Sequence, residues 1–139
     1  MADFEYFIAK GDVKRQTKNE ILARALLRES TDRLSFIKRL GLSEENAKYI
    51  VENSYDVIRE LIEARLSIDG FKSYSHEATI LFLKKFPEFK ESEISFIDNL
   101  RKIRNGIKYY GKEAHVNEAK TALNFLNSVL LRLKKLSQS

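Results

Sequence analysis

The chain has 139 residues, 43% hydrophobic and 32% charged, with a formal net charge of +5. That length suits one core and one domain. With no cysteine and only His76 and His115 as imidazoles, disulfide frameworks, thiolate zinc sites and histidine-rich metal centres are excluded, and no metal or cofactor is expected. No stretch approaches the roughly 20 apolar residues that span a bilayer, and the first residues hold no signal-peptide core. A cytoplasmic protein with no membrane partner is therefore expected.

Residues 1–16 show no clear apolar stripe and read as an N-terminal extension to a helical domain over 17–139. Phe4, Tyr6, Phe7 and Ile8 can dock on that domain or on a partner chain. Thr17 to Glu20 has the T-x-x-E form of a capping box, which predicts a first helix from Thr17 to about Leu40, ended by Gly41. Ala23, Leu26, Leu27, Ser30, Leu34 and Ile37 make its buried stripe. Ser43 is the expected cap of a second helix running to about Asp69, with Glu44 and Glu45 favoring its dipole and Gly70 stopping it.

The apolar line of that helix is Ala47, Ile50, Val51, Ser54, Val57, Ile58, Leu61 and Ile68. Ser75 can cap a shorter third helix through Ala78, Ile80, Leu81, Phe82 and Leu83, ending near Pro87, the only proline. Ile94, Ile97, Leu100, Ile103 and Ile107, spaced by three and four, mark a fourth. A fifth carries Val116, Ala119, Ala122, Leu123, Leu126, Val129, Leu130 and Leu133. No run alternates between turn signals, so no sheet is predicted. The expectation is an all-α protein, an antiparallel up-and-down bundle of about five helices.

The segment 99–112, NLRKIRNGIKYYGK, contains Arg101, Lys102, Arg104, Lys108 and Lys112 and no acid, a charge equal to the whole excess of the chain. Arg101, Arg104 and Lys108 follow a three-then-four spacing and share one helix face. With Asn105 and Tyr109 one turn apart, a guanidinium, an amide and a phenol can converge to grip phosphate and stack a base. A solvated basic face at a helix C-terminus, with tyrosines as amphipathic packing, accounts for the same pattern. Gly106 inside the helix costs about 1 kcal/mol against alanine and points to a close approach there. His76, in the first turn of the third helix, suits capping or packing as well as chemistry. Asp56, Glu60 and Glu63 share an acidic face of the second helix.

Arg104-Asn105 at the end of a penultimate helix, together with the link GFKSYSHEA between the second and third helices, resembles the HEPN family (higher eukaryotes and prokaryotes nucleotide-binding domain). The likeness covers about residues 18–136. The stretch YDVIRELIEARLSIDGFKSYSHEA, residues 55–78, is similar to small HEPN proteins that pair with minimal nucleotidyltransferases. The resemblance implies a homodimer, a nucleotide or RNA ligand, and a nucleotidyltransferase partner of toxin–antitoxin type.

It also implies functional residues. Ribonucleases of the family carry an arginine followed at short spacing by a histidine, and here Arg104 and Asn105 match while Tyr109 stands where the histidine would be. The tyrosine that partner enzymes modify corresponds to Gly111, with Tyr110 adjacent. An acidic residue of the second helix, Glu60 or Glu63, is expected to face Arg104. Beside a helical subunit whose main task is to bind the nucleotidyltransferase, two readings follow. One is a non-catalytic or weakly catalytic binder of nucleotide or RNA through Arg101, Arg104, Lys108 and Tyr110. The other is a metal-independent endoribonuclease with Arg104, Asn105 and Tyr109 in catalytic positions, where a phenol of reference pKa near 10 makes a weaker proton shuttle than imidazole near 6.5.

Overall fold

The computed structural model describes residues 3–138; residues 1, 2 and 139 of the two expected segments lie outside the described residues. Within them the chain is mostly helical. Six α-helices are present: α1 (Phe4–Lys10), α2 (Glu20–Arg39), α3 (Ala47–Asp69), α4 (His76–Leu81), α5 (Glu91–Tyr110) and α6 (Val116–Ser137). Two short strands, β1 (Val13–Arg15) and β2 (Phe71–Ser73), and a 3₁₀ turn over Phe82–Lys85 complete it.

The central element is α3, buried around most of its circumference, with α2, α5 and α6 packed on it. Its neighbors alternate in direction. The Asn19 N–H donates to the Ser67 carbonyl (2.9 Å) while Arg33 reaches Asn53 (2.9 Å), so α2 runs against α3. Arg132 of α6 pairs with Glu93 at the start of α5, and Phe96 stacks on Phe125 at 4.2 Å, so α6 runs against α5. One continuous apolar core joins all four long helices.

Several boundaries differ from expectation for local reasons. Asn19, not Thr17, caps α2, its side chain accepting from the Leu22 N–H at 2.9 Å, because Thr17 and Lys18 still belong to the connection from β1. Ser43 accepts from the Asn46 N–H at 3.2 Å within a turn, and α3 starts only at Ala47. The third helix is split into α4 and the 3₁₀ turn. Phe86, preceding Pro87, is extended at φ −117°, as the proline ring requires of its neighbor.

The expectation of no sheet is overturned. β1 and β2 pair antiparallel, with Val13 opposite Ser73, Lys14 opposite Lys72 and Arg15 opposite Phe71. Three residues per strand are too few for an alternation to register against its surroundings. Gly70 makes the ribbon possible: its φ is +82°, and a Cβ there would lie 2.9 Å from the Gln16 carbonyl oxygen. Residues 3–16 also dock on the helices. Phe4 and Phe7 are buried, Phe4 packing edge-on to Phe71 at 5.4 Å and against Phe82 at 4.9 Å, whereas Tyr6 stays exposed. A seven-residue helix with two inward aromatics is too short for a stripe to stand out.

Among the described residues no helix is long and apolar enough to cross a membrane.

Candidate functional site

The basic helix α5 does not present all its cations outward. Arg104 is buried at 4% exposure, and its Nη2 donates to Asp56 Oδ1 at 3.3 Å. Its Nη1 donates to Asn105 Oδ1 at 3.4 Å. The guanidinium carbon lies 5.5 Å from the Tyr55 ring centroid and 5.9 Å from that of Tyr109, within cation–π range of both. Arg104 Nε, Tyr55 Oη and Ser54 Oγ are buried with no hydrogen-bond partner. Arg104 is thus held from several sides, with little rotamer freedom left to lose.

Asp56 is the hub beneath it. Its Oδ1 also accepts from Arg59 Nη2 at 3.3 Å, and Arg33 Nη1 lies 3.9 Å from Oδ2. Each remaining acid has its own arginine: Glu60 accepts from Arg33 Nε at 2.8 Å and Glu63 from Arg59 Nη1 at 3.0 Å. The expected partnership of Glu60 or Glu63 with Arg104 therefore belongs to Asp56. Because α5 runs against α3, position 104 lies level with 56, one turn before Glu60. Burial pushes Glu60 up to about 7, against the pull of the Arg33 guanidinium. Burial likewise raises the Tyr55 phenol.

His76 enters this cluster from a different element. Ser75 caps α4, accepting from the Ala78 N–H at 3.2 Å, and so sets His76 at the start of that helix. The imidazole lies 6.1 Å from the Tyr55 ring, between centroids. Burial first, then the positive charges of Arg59 and Arg104, lowers its pKa to about 4, so the ring is neutral at pH 7. His115 is elsewhere: its Nδ1 lies 3.3 Å from Glu44 Oε2 at the junction of α3 and α6.

Arg101 is half-buried and bound to Asp98 at 2.9 Å, with Lys102 3.7 Å from the same carboxylate. Lys102, Lys108, Tyr109, Tyr110 and Lys112 are exposed side chains of the segment, the two tyrosines at 62% and 78% exposure. Lys108 Nζ stands 5.7 Å from the Tyr109 ring. Gly106 has a local explanation. The chain turns back at Gly111, and the Lys112 N–H donates to the Gly106 carbonyl at 3.1 Å. The Lys112 stem then lies 3.1 Å from where a Gly106 Cβ would be. Gly106 makes room for the chain's own reversal.

Arg33 and Tyr55 belong to no motif or charged cluster of the sequence. A signal existed for Arg33, which sits between Ser30 and Leu34 next to the buried stripe of α2 and one turn after Glu29. Among the described residues no group of three or more His, Cys, Asp or Glu side chains is arranged to hold a metal. What the site offers is a locked guanidinium, a neutral imidazole and a rim of exposed tyrosine and lysine. No family model, curated protein or solved structure matches this chain.

Proposed function

We propose that the protein is a HEPN-like RNA- or nucleotide-binding helical protein that uses the α5 face over Arg104, works as a homodimer, and pairs with a minimal nucleotidyltransferase. The observation that carries this reading is the locked Arg104 beneath the exposed Tyr109 ring, with Lys108 and Tyr110 beside it. The exposed Lys108 ammonium suits a phosphate and the Tyr109 ring, steadied by the fixed cation beneath it, suits the base, because little conformational entropy remains to be lost on binding.

The test is fluorescence anisotropy with a labelled single-stranded RNA, using ATP as competitor to separate nucleotide from polymer recognition. Lys108→Gln combined with Tyr109→Ala alters only exposed groups and is expected to weaken binding about tenfold or more. Unchanged affinity, with an unchanged melting temperature, overturns the reading. Light scattering that finds only monomer at micromolar concentration removes the dimer. A pull-down from the native host without a nucleotidyltransferase removes that partner.

A second reading, a metal-independent endoribonuclease, is favored by His76. The neutral imidazole shares the Tyr55 ring with Arg104 and can accept a 2′-hydroxyl proton as that oxygen attacks phosphorus. The 5′-oxygen would leave with a proton from water, and Arg104 would stabilize the dianionic phosphorane. In this version His76, rather than Tyr109, supplies the base. Cleavage in EDTA that is lost on both His76→Ala and Arg104→Ala but kept in Tyr109→Phe supports it. Cleavage indifferent to Arg104→Ala reports a contaminating nuclease.

A further inference from the structure

We propose that the outer face of the β1–β2 ribbon is a second RNA contact, in which Lys14, Lys72 and Lys18 hold the phosphodiester backbone of a single strand while Tyr74 stacks a base. The inference rests on the RNA reading above and extends it to a surface whose residues lie 30 or more positions away in sequence from Arg104.

Lys14 and Lys72 are directly opposite in the antiparallel register, both exposed, so their side chains leave the same face of the ribbon. Like charges directly opposite destabilize a strand pair. Among the described residues neither lysine has an ion-pair partner. The nearest acid along β1, Asp12, is taken by Lys10 at 3.5 Å. The fold therefore keeps a repulsive pair where one acidic residue would relieve it, and a bound polyanion relieves it equally well.

Aromatic surface adjoins these charges. Tyr74 lies two residues beyond Lys72, on the same side of the alternation, and its N–H donates to the Asp12 carbonyl at 2.8 Å, prolonging the ribbon. Its ring is 66% exposed, with Lys14 Nζ 5.7 Å from the centroid. At the other end the Lys18 stem lies 3.5 Å from the position a Gly70 Cβ would take, which sets a third exposed lysine at that end of the ribbon. Arg15, exposed and 5.2 Å from the Phe71 ring, belongs to the other face of the ribbon.

A row of cations with one protruding ring is the arrangement used to track a single strand without reading its sequence. An acidic lipid surface fits less well, because Val13 and Phe71 are buried and leave no apolar side chain beside Tyr74 to enter hydrocarbon. The strip also leads toward the Arg104 cluster, since Ser75 alone separates Tyr74 from His76.

The experiment is anisotropy of a labelled oligouridine RNA on the full chain over a salt series. Lys14→Gln with Lys72→Gln is expected to weaken binding about tenfold at low salt. The same variant should make the slope of log K against log salt shallower by about 1.4, about 0.7 for each lost phosphate contact. Tyr74→Ala should cost about fivefold or more, and Tyr74→Phe should bind as the parent does. Lys38→Gln with Lys120→Gln removes the same charge from exposed positions on α2 and α6 and should leave both affinity and slope nearly unchanged.

If the lysine variant binds like the parent while Lys108→Gln with Tyr109→Ala binds weakly, the ribbon proposal fails and the α5 reading stands. If the parent chain does not bind RNA, both fail. Binding to phosphatidylglycerol vesicles without RNA binding reassigns the strip to a membrane surface and overturns the proposal.

Discussion

On α5, Arg101 and Arg104 both find carboxylates, Asp98 at 2.9 Å and Asp56 at 3.3 Å, whereas on the ribbon Lys14 and Lys72 face one another with no acid between them. The segment that holds the whole excess charge in the sequence is thus partly neutralized by the fold. The ribbon, unremarkable in sequence, leaves Lys14 and Lys72 as uncompensated as Lys108 is on α5. Summed charge along a chain and free charge on a surface are different quantities, and only side chains brought in from other elements convert one into the other.

The sharpest way to break this comparison is to remove the acid that compensates Arg104 of α5. Asp56→Ala leaves Arg33, Arg59 and Arg104 facing a site without its hub, and is expected to cost about 3–5 kcal/mol in urea unfolding. A loss below about 1 kcal/mol would mean that Asp56 does not hold the cluster together.

Titration of the cluster gives a second test, one the ribbon lacks. Glu60, raised to about 7 in the folded state, binds its proton more tightly there than in the unfolded chain. Its contribution is full below the ordinary glutamate pKa and is lost as pH rises toward 7. His76, lowered to about 4, behaves oppositely: its contribution is full above the ordinary histidine value and is lost as pH falls toward 4. Between about pH 4.5 and 6.5 the two cancel, so these groups leave stability nearly flat with pH. Glu60→Gln should expose a rise in stability with pH, and His76→Gln a fall, each by about 1 kcal/mol per pH unit in urea unfolding series. Parallel curves for the three proteins would refute the pairing of these shifts.

Tyr55→Phe removes a buried hydroxyl with no partner and should stabilize the chain by about 1 kcal/mol, read as a higher melting temperature. Destabilization would show that the hydroxyl is engaged with the neighboring arginines. The smallest effect is expected on the ribbon. Lys72→Glu turns a repulsive cross-strand pair into an attractive one, worth about 0.5–1 kcal/mol, while weakening RNA binding. Gain in stability with loss of binding separates the ribbon from the Arg104 cluster, where removal of the Asp56 charge costs stability.

The long helices were legible because each repeats apolar residues at helical spacing over several turns. Ala23, Leu34 and Ile37 on α2 and Ala122, Leu126 and Leu133 on α6 are all buried as that spacing requires. The ribbon and α1 were not, since strands of three residues and a helix of seven give a pattern too few repeats. In the site, the position of Arg104 on α5 could be read from spacing, but its carboxylate could not. Asp56, Glu60 and Glu63 lie on the same helix within two turns, and only the relative stagger of α3 and α5 selects among them. His76 is further still from local inference, being 28 residues from Arg104 and joined to it through the Tyr55 ring.

The sequence by itself determined the helical class, the buried stripes of the long helices and the residues able to carry charge or stack, because these depend on periodicity and side-chain chemistry. Tertiary structure decided which charges meet. It sets Arg104 on Asp56, brings His76 to Tyr55, and leaves Lys14 against Lys72. Those juxtapositions follow from how far one element slides along another, a displacement of a few ångströms that no local pattern encodes and that the packing of the whole core settles at once.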